Sequence, residues 1–249
     1  MKKLKEILSG ILVIAVVGTA FYFIYQNVTT KTHKDLAKRI AELSPKGGPP
    51  ETIDGLRKAI ALYEDQIERN VREGAQTGVY WKILAIRLAD KKMHNDALKA
   101  FERAIYYNTE DPTIYYLTSV SAASAAKSLV GFSATEQKEK EKLYKLSENS
   151  YLRAMELDIT YTKPMYGIAI LYIFELDRPQ EAIQYLERYL KILTSDISAM
   201  FVLARAYYTT ENYSGAVELY DKIISRTKDK KIKEEAQNNK DTIQGLIYE

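Results

Sequence analysis

Ala182, Leu186 and Tyr189 come back 34 residues later as Ala216, Tyr220 and Ile223. A recurrence at this period means that each unit is one supersecondary piece, too small to bury its apolar face alone. Beyond Pro50, apolar residues fall at three- and four-residue spacing with scarcely any alternating stretch, so the pieces are helices. A small residue in the first helix of a unit and another in the second let the two backbones approach closely. Aromatic side chains fill the space around that contact, and the side left open must stack on a neighbouring unit.

Trp81, Leu84, Ala85 and Leu88 are followed by Ala97, Phe101 and Ala104, and Leu203, Ala204 and Tyr207 by Ala216 and Tyr220. This order of large, aliphatic, small and aromatic positions, then small, aromatic and small, resembles the tetratricopeptide repeat over about residues 35–228. The resemblance implies an all-α fold: a right-handed superhelical solenoid of about five helix pairs plus a C-terminal capping helix, preceded by one transmembrane helix. The pairs are expected at 35–74, 77–110, 112–160, 162–194 and 196–228, and the cap within 229–249, from about Lys230 to Ile247. The first unit is irregular, since Lys46-Gly47-Gly48-Pro49-Pro50 lengthens its turn and only Ala59 and Tyr63 of its second helix fit. In the third, Ser147, Tyr151 and Ala154 begin 50 residues after Ala97, which leaves a surplus at about 130–142. In the fourth, the turn before Ala182 is longer by one residue.

The transmembrane expectation rests on residues 7–25, 19 positions without a charge, flanked by Lys2, Lys3, Lys5 and Glu6 before and Gln26 and Asn27 after. As a helix they reach about 28 Å, enough to cross a hydrocarbon core of about 30 Å. Gly18 and Ala20 also fit a signal-peptidase site, but apolar residues run on through Phe21–Tyr25, where a mature N-terminus is ordinarily polar, so an uncleaved anchor is expected. Residues 1–6 are then a short tail and 26–34 a juxtamembrane linker. Lys31, Lys34, Lys38 and Arg39 nearly balance the lysines before the span; the short tail favours a bacterial inner-membrane protein with a periplasmic solenoid.

The chain has no cysteine, which removes disulfides, thiolate catalysis, iron–sulfur clusters, Cys-type zinc sites and N-terminal lipoprotein acylation. His33 and His94 have no second ligand at metal spacing and read as solvated, so no metal and no cofactor are expected. Gly47 and Gly48 lack a phosphate-loop ending, and no serine stands in a nucleophile elbow, so no enzyme activity is expected. Thirty-six basic against 33 acidic residues give a net charge of +3, and the lysines of 138–142 and 228–233 are interleaved with acids, so nucleic acid is not an expected partner. Twenty tyrosines against one tryptophan are the compositional oddity that any fold must explain.

The resemblance also implies a concave surface lined by the first helix of each pair. Carried over, its positions are Lys82, Ile86 and Asp90 in the second unit, and Tyr116 and Val120 in the third. The fourth contributes Tyr166, Ile170, Ile173 and Phe174, and the fifth Phe201, Arg205, Tyr208 and Thr209. Of the rings, Trp81, Tyr172, Tyr207 and Tyr220 are expected to pack between helices, and Tyr116, Tyr166, Phe201 and Tyr208 to face the groove. Ile86 stands where the family's C-terminal-carboxylate clamp needs asparagine, so an extended or helical apolar segment of another protein is the expected occupant. The expected function is a membrane-anchored scaffold that recruits or assembles components of a cell-envelope machine: a secretion system, an outer-membrane biogenesis complex or the periplasmic part of a flagellar motor. The alternative is a carrier of an apolar small molecule or lipid in the groove.

Overall fold

A computed structural model describes residues 52–247, together with Leu36, Lys38, Arg39, Ala41 and Glu42, all five helical. Contacts divide the chain into two compact units, Met1–Glu73 and Gly74–Glu249. Residues 7–25, where the anchor is expected, lie outside the described residues. Among the described residues no helix is long and apolar enough to cross a membrane.

The first unit contains the start of α1 (Ile53–Asp90). Thr52 caps it, its hydroxyl accepting from the Gly55 amide at 3.0 Å. Within this unit Gly55 and Ala59 are buried. The sequence reading ends one pair at 74 and opens the next at 77, whereas α1 runs through both positions without a break. No proline stands there, and a helical glycine such as Gly74 costs only about 1 kcal/mol, too little to stop a long helix.

In the second unit the end of α1 is followed by α2 (His94–Tyr107), α3 (Pro112–Ser128), α4 (Ala134–Leu157), α5 (Thr162–Phe174), α6 (Pro179–Ile192), α7 (Ile197–Thr209), α8 (Tyr213–Arg226) and α9 (Lys230–Ile247). From α2 onward each helix packs on the next in chain order, and at the end of α1 Ala85 clusters with Ala97, Phe101 and Ala104, so the core is a line of local contacts and not one centre. Small residues mark the closest approaches: Ala85, Ala97, Ala104, Ala154, Ala169, Ala182, Ala204 and Ala216 are fully buried. In the third pair Ser147 takes the alanine's place and its hydroxyl donates to the Ser119 carbonyl at 2.9 Å. Gly167 serves the same end, since a Cβ there would lie 2.5 Å from Cε1 of Tyr151.

Helix starts follow local chemistry. Asp111, Ser133, Asp196 and Asn212 each accept a main-chain N–H in the first turn of α3, α4, α7 and α8, and Pro112 and Pro179 sit at first-turn positions where an N–H has no helical partner. Three turns within pairs share one device: Lys92, Asp177 and Glu211 adopt left-handed backbone at φ 61, 52 and 61°. Each stands five residues before the buried Ala97, Ala182 or Ala216. The next residue closes the turn, Met93 N–H donating to the Leu88 carbonyl and Asn212 N–H to that of Tyr207, at 2.9 and 2.8 Å. In the fourth pair Arg178 reaches back one residue further, to Tyr172, which is where the extra residue goes.

The surplus at 130–142 has two parts. Residues 129–133 form a turn with Gly131 at φ 81°, and the remainder extends α4 at its N-terminus. Ser133 and Glu136 cap that start reciprocally, Ser133 Oγ accepting from the Glu136 amide and Glu136 Oε2 from that of Phe132.

The tyrosines act as struts between successive helices, with the ring in the apolar layer and the hydroxyl on a carboxylate. Tyr144 donates to Glu175, Tyr172 to Glu148, Tyr189 to Asp196 and Tyr207 to Glu187, at 2.5, 2.8, 2.7 and 2.7 Å. Arg178 joins the second of these: its guanidinium carbon lies 4.5 Å from the Tyr172 ring centroid, Nη1 donates to Glu148 at 3.0 Å, and the rest of the fork holds Glu181. A phenylalanine could fill the same space but would leave the half-buried Glu148, Glu175 and Asp196 without their phenolic donors.

Candidate functional site

At the C-terminal end of the second unit lies a groove of about 570 Å³, open along one side. That is ample for one or two bulky side chains of a ligand. One wall comes from the end of α5, with Phe174, and from α7, with Phe201, Val202, Arg205, Tyr208 and Thr209. Tyr220 of α8 forms the floor, and Glu235, Asn239, Thr242 and Ile243 of α9 form the other wall.

Phe201 and Tyr220 meet edge to face with ring centroids 5.9 Å apart. Tyr220 is buried, and Phe174 and Tyr208 are 47% and 43% exposed, so the site offers solvent two large apolar faces over a closed aromatic floor. Burial pushes the Tyr220 hydroxyl up and Glu235 adds to this, while Asn239 and Arg205 offset part of it. The guanidinium carbon of Arg205 stands 4.9 Å from the Phe174 ring centroid. Among the described residues Arg205 has no carboxylate within ion-pair distance. The chemistry on offer is therefore apolar contact, one cation held on an aromatic ring, and the hydroxyl and amide groups of Thr209, Thr242 and Asn239.

Of the residues expected at the concave surface, this groove brings together Phe174, Phe201, Arg205, Tyr208 and Thr209. Lys82 is elsewhere and engaged: its Nζ lies 2.7 Å from Asp111, which holds that carboxyl below its ordinary range against the opposing effect of burial. Tyr116 packs against Tyr161 and Tyr151 at 5.5 and 6.3 Å, and Tyr166 against Tyr189 at 5.4 Å. Ile86, Ile170 and Ile173 are half-buried outside the groove, and Val120 is exposed outside it. Tyr172 and Tyr220 are buried between helices, and Trp81 and Tyr207 pack half-buried against the core. His94, read as solvated, is half-buried with Nδ1 enclosed and unpartnered. Sequence reasoning missed the α9 wall. Its signal was present in Ile232, Ala236 and Ile243, a helical stripe beside which Glu235, Asn239 and Thr242 must lie.

A tetratricopeptide-repeat family model matches residues 174–234, which span most of this groove. The chain is also similar to the crystal structure of YrrB, described as a TPR protein with an unusual peptide-binding site: TM-score 0.56, 14% identity, 73% of this chain and 83% of that one. The fold is the tetratricopeptide-repeat fold. Two further solved structures are similar, the first of them described as a TPR protein. For a thermophilic protein of Thermus thermophilus the TM-score is 0.50, with 16% identity over 72% of this chain and 88% of that one. For MamA of Desulfovibrio magneticus RS-1 it is 0.52, with 13% identity over 69% and 96%. In sequence, a TPR repeat-containing protein of Borreliella burgdorferi is 23% identical over 207 residues, 82% of this chain and 87% of its own length. Tetratricopeptide solenoids generally hold other proteins and do not catalyse reactions, and the fold points to a protein–protein interaction role here.

Proposed function

We propose that this chain is a membrane-anchored scaffold whose C-terminal groove takes up an apolar or amphipathic segment of another protein. The observation that carries the reading is the groove itself, with exposed Phe174 and Tyr208, the Phe201–Tyr220 floor and Arg205 held on the Phe174 ring. Aromatic anchors with one cation at the edge are what recognition of a short protein segment needs. The groove is open along one side, which suits a chain that enters and leaves it better than an enclosed lipid. The peptide-binding site in the description of the similar YrrB structure supports a peptide ligand. Residues 7–25 supply the anchor, in a bacterial inner membrane with the solenoid on the periplasmic side, where the partner is a component of an envelope machine.

A photo-crosslinking residue at Phe201 or Tyr208, with Lys228 outside the groove as control, tests the reading in cells. One shared protein adduct from both groove positions and none from Lys228 supports it. No adduct, or equal labelling from all three, overturns it. Protease added to intact and to permeabilised cells tests the anchor: a solenoid cleaved only after the outer membrane is opened supports the proposed topology, and one cleaved only after lysis contradicts it.

A further inference from the structure

The first unit leaves an apolar stripe uncovered. Ile53, Leu56, Ile60, Tyr63, Ile67 and Val71 of α1 are 71, 41, 54, 51, 60 and 66% exposed, although Gly55 and Ala59 on the adjoining flank are buried. Isolated exposed apolar residues are ordinary; six in one row over some five helical turns are not. From Ile53 to Ile67 the spacing alternates three and four, so Ile53, Ile60 and Ile67 take the first position of a heptad and Leu56 and Tyr63 the fourth, while Val71, four residues after Ile67, takes the fifth and flanks the seam. A 3.5-residue period keeps its seam on a partner helix that follows the same period, and an identical helix does so by construction.

We infer that α1 pairs through this stripe with the α1 of a second copy, as a parallel two-stranded coiled coil. β-Branched isoleucine at the first position with leucine at the fourth favours two parallel strands. In that register like meets like along the seam. The flanking charges do not clash, because Arg57 and Glu64 face Thr52 and Ala59 of the other copy. With roughly 100 Å² exposed on each side chain, two copies bring about 1,200 Å² together, the lower bound of what stable association needs. The pairing is independent of the groove and of the anchor.

The absence of native cysteine makes the test clean. In the purified full chain, Leu56→Cys at a seam position should give a disulfide-linked dimer under mild oxidation. Lys58→Cys, on the outer face of the same helix, should not. Light scattering should return twice the chain mass for the wild type and the single mass for Ile60→Asp/Ile67→Asp, with helicity by circular dichroism unchanged because both side chains are exposed. A wild-type monomer overturns the inference, as when residues before Thr52 fold back on the stripe. So does a dimer that the double variant leaves intact, or one in which the Leu56→Cys link does not form.

Discussion

The Tyr144 hydroxyl donates to Glu175 Oε2 at 2.5 Å, while Lys127 Nζ holds Oε1 of the same carboxylate at 2.7 Å. The three side chains come from α4, the C-terminal end of α5 and α3, so one carboxylate fastens the third pair to the fourth. Tyr144→Phe keeps the ring and removes the donor. A lost hydrogen bond to a half-buried charge costs about 1–2 kcal/mol, measurable as a lower urea midpoint with an unchanged slope.

The same carboxylate sets a pH dependence. Burial raises the Glu175 pKa, but Lys127 and Tyr144 more than offset it and leave it below the ordinary 4.5. A group depressed in the folded state adds stability that is present above its unfolded pKa and lost as pH falls through the folded one. Stability therefore declines below about pH 4.5, and Glu175→Gln should flatten that decline while lowering stability at neutral pH. Urea titrations across acid pH measure both.

At the alkaline end the struts act in the opposite sense. Burial, reinforced by hydrogen bonds to Asp196 and Glu187, pushes Tyr189 and Tyr207 up to about 12, and burial does the same for Tyr151. A raised folded pKa gives stability that is complete below the unfolded value of 10.0 and lost as pH rises towards the folded one. Between about pH 10 and 12 the chain should unfold as these phenols ionise, with tyrosinate absorbance and helix loss changing together. Tyrosinate that titrates fully at pH 10 without loss of helix would contradict the strut geometry.

The repeat was legible in the sequence because its signal is periodic: Ala97, Ala182 and Ala216 stand at fixed offsets from their aromatic neighbours, and the same offsets place the left-handed Lys92, Asp177 and Glu211. The continuity of α1 was not, because nothing local distinguishes a weak helical stretch at Gly74–Gly78 from a turn; packing on each side decides. The ion pair of Lys82 was not legible because its partner Asp111 is 29 residues away and meets it only after folding. The α9 wall was missed because the concave surface was drawn from the first helix of each pair alone, whereas the capping helix, with Ala236 and Ile243 buried on one face, brings Asn239 to the groove.

Gly167 offers a test of the small-residue contacts. A methyl group there would overlap the Tyr151 ring, whose Cε1, Cζ and Oη atoms all come within 2.5–2.7 Å of the added Cβ. Tyr151 is 5% exposed and has no room to move away. Gly167→Ala should cost about 1–3 kcal/mol despite the better helix propensity of alanine. A stabilised variant in thermal melts would show that α4 and α5 are not in close contact there.

The central claim is that the groove between α7 and α9 holds a protein segment, and its most direct measurement is calorimetric titration of the crosslinked segment, as a synthetic peptide, into wild type and Phe201→Ala. Loss of an aromatic anchor should weaken binding by about tenfold or more, some 1.4 kcal/mol, with the circular dichroism spectrum retained. Equal affinity for the two proteins would contradict the claim.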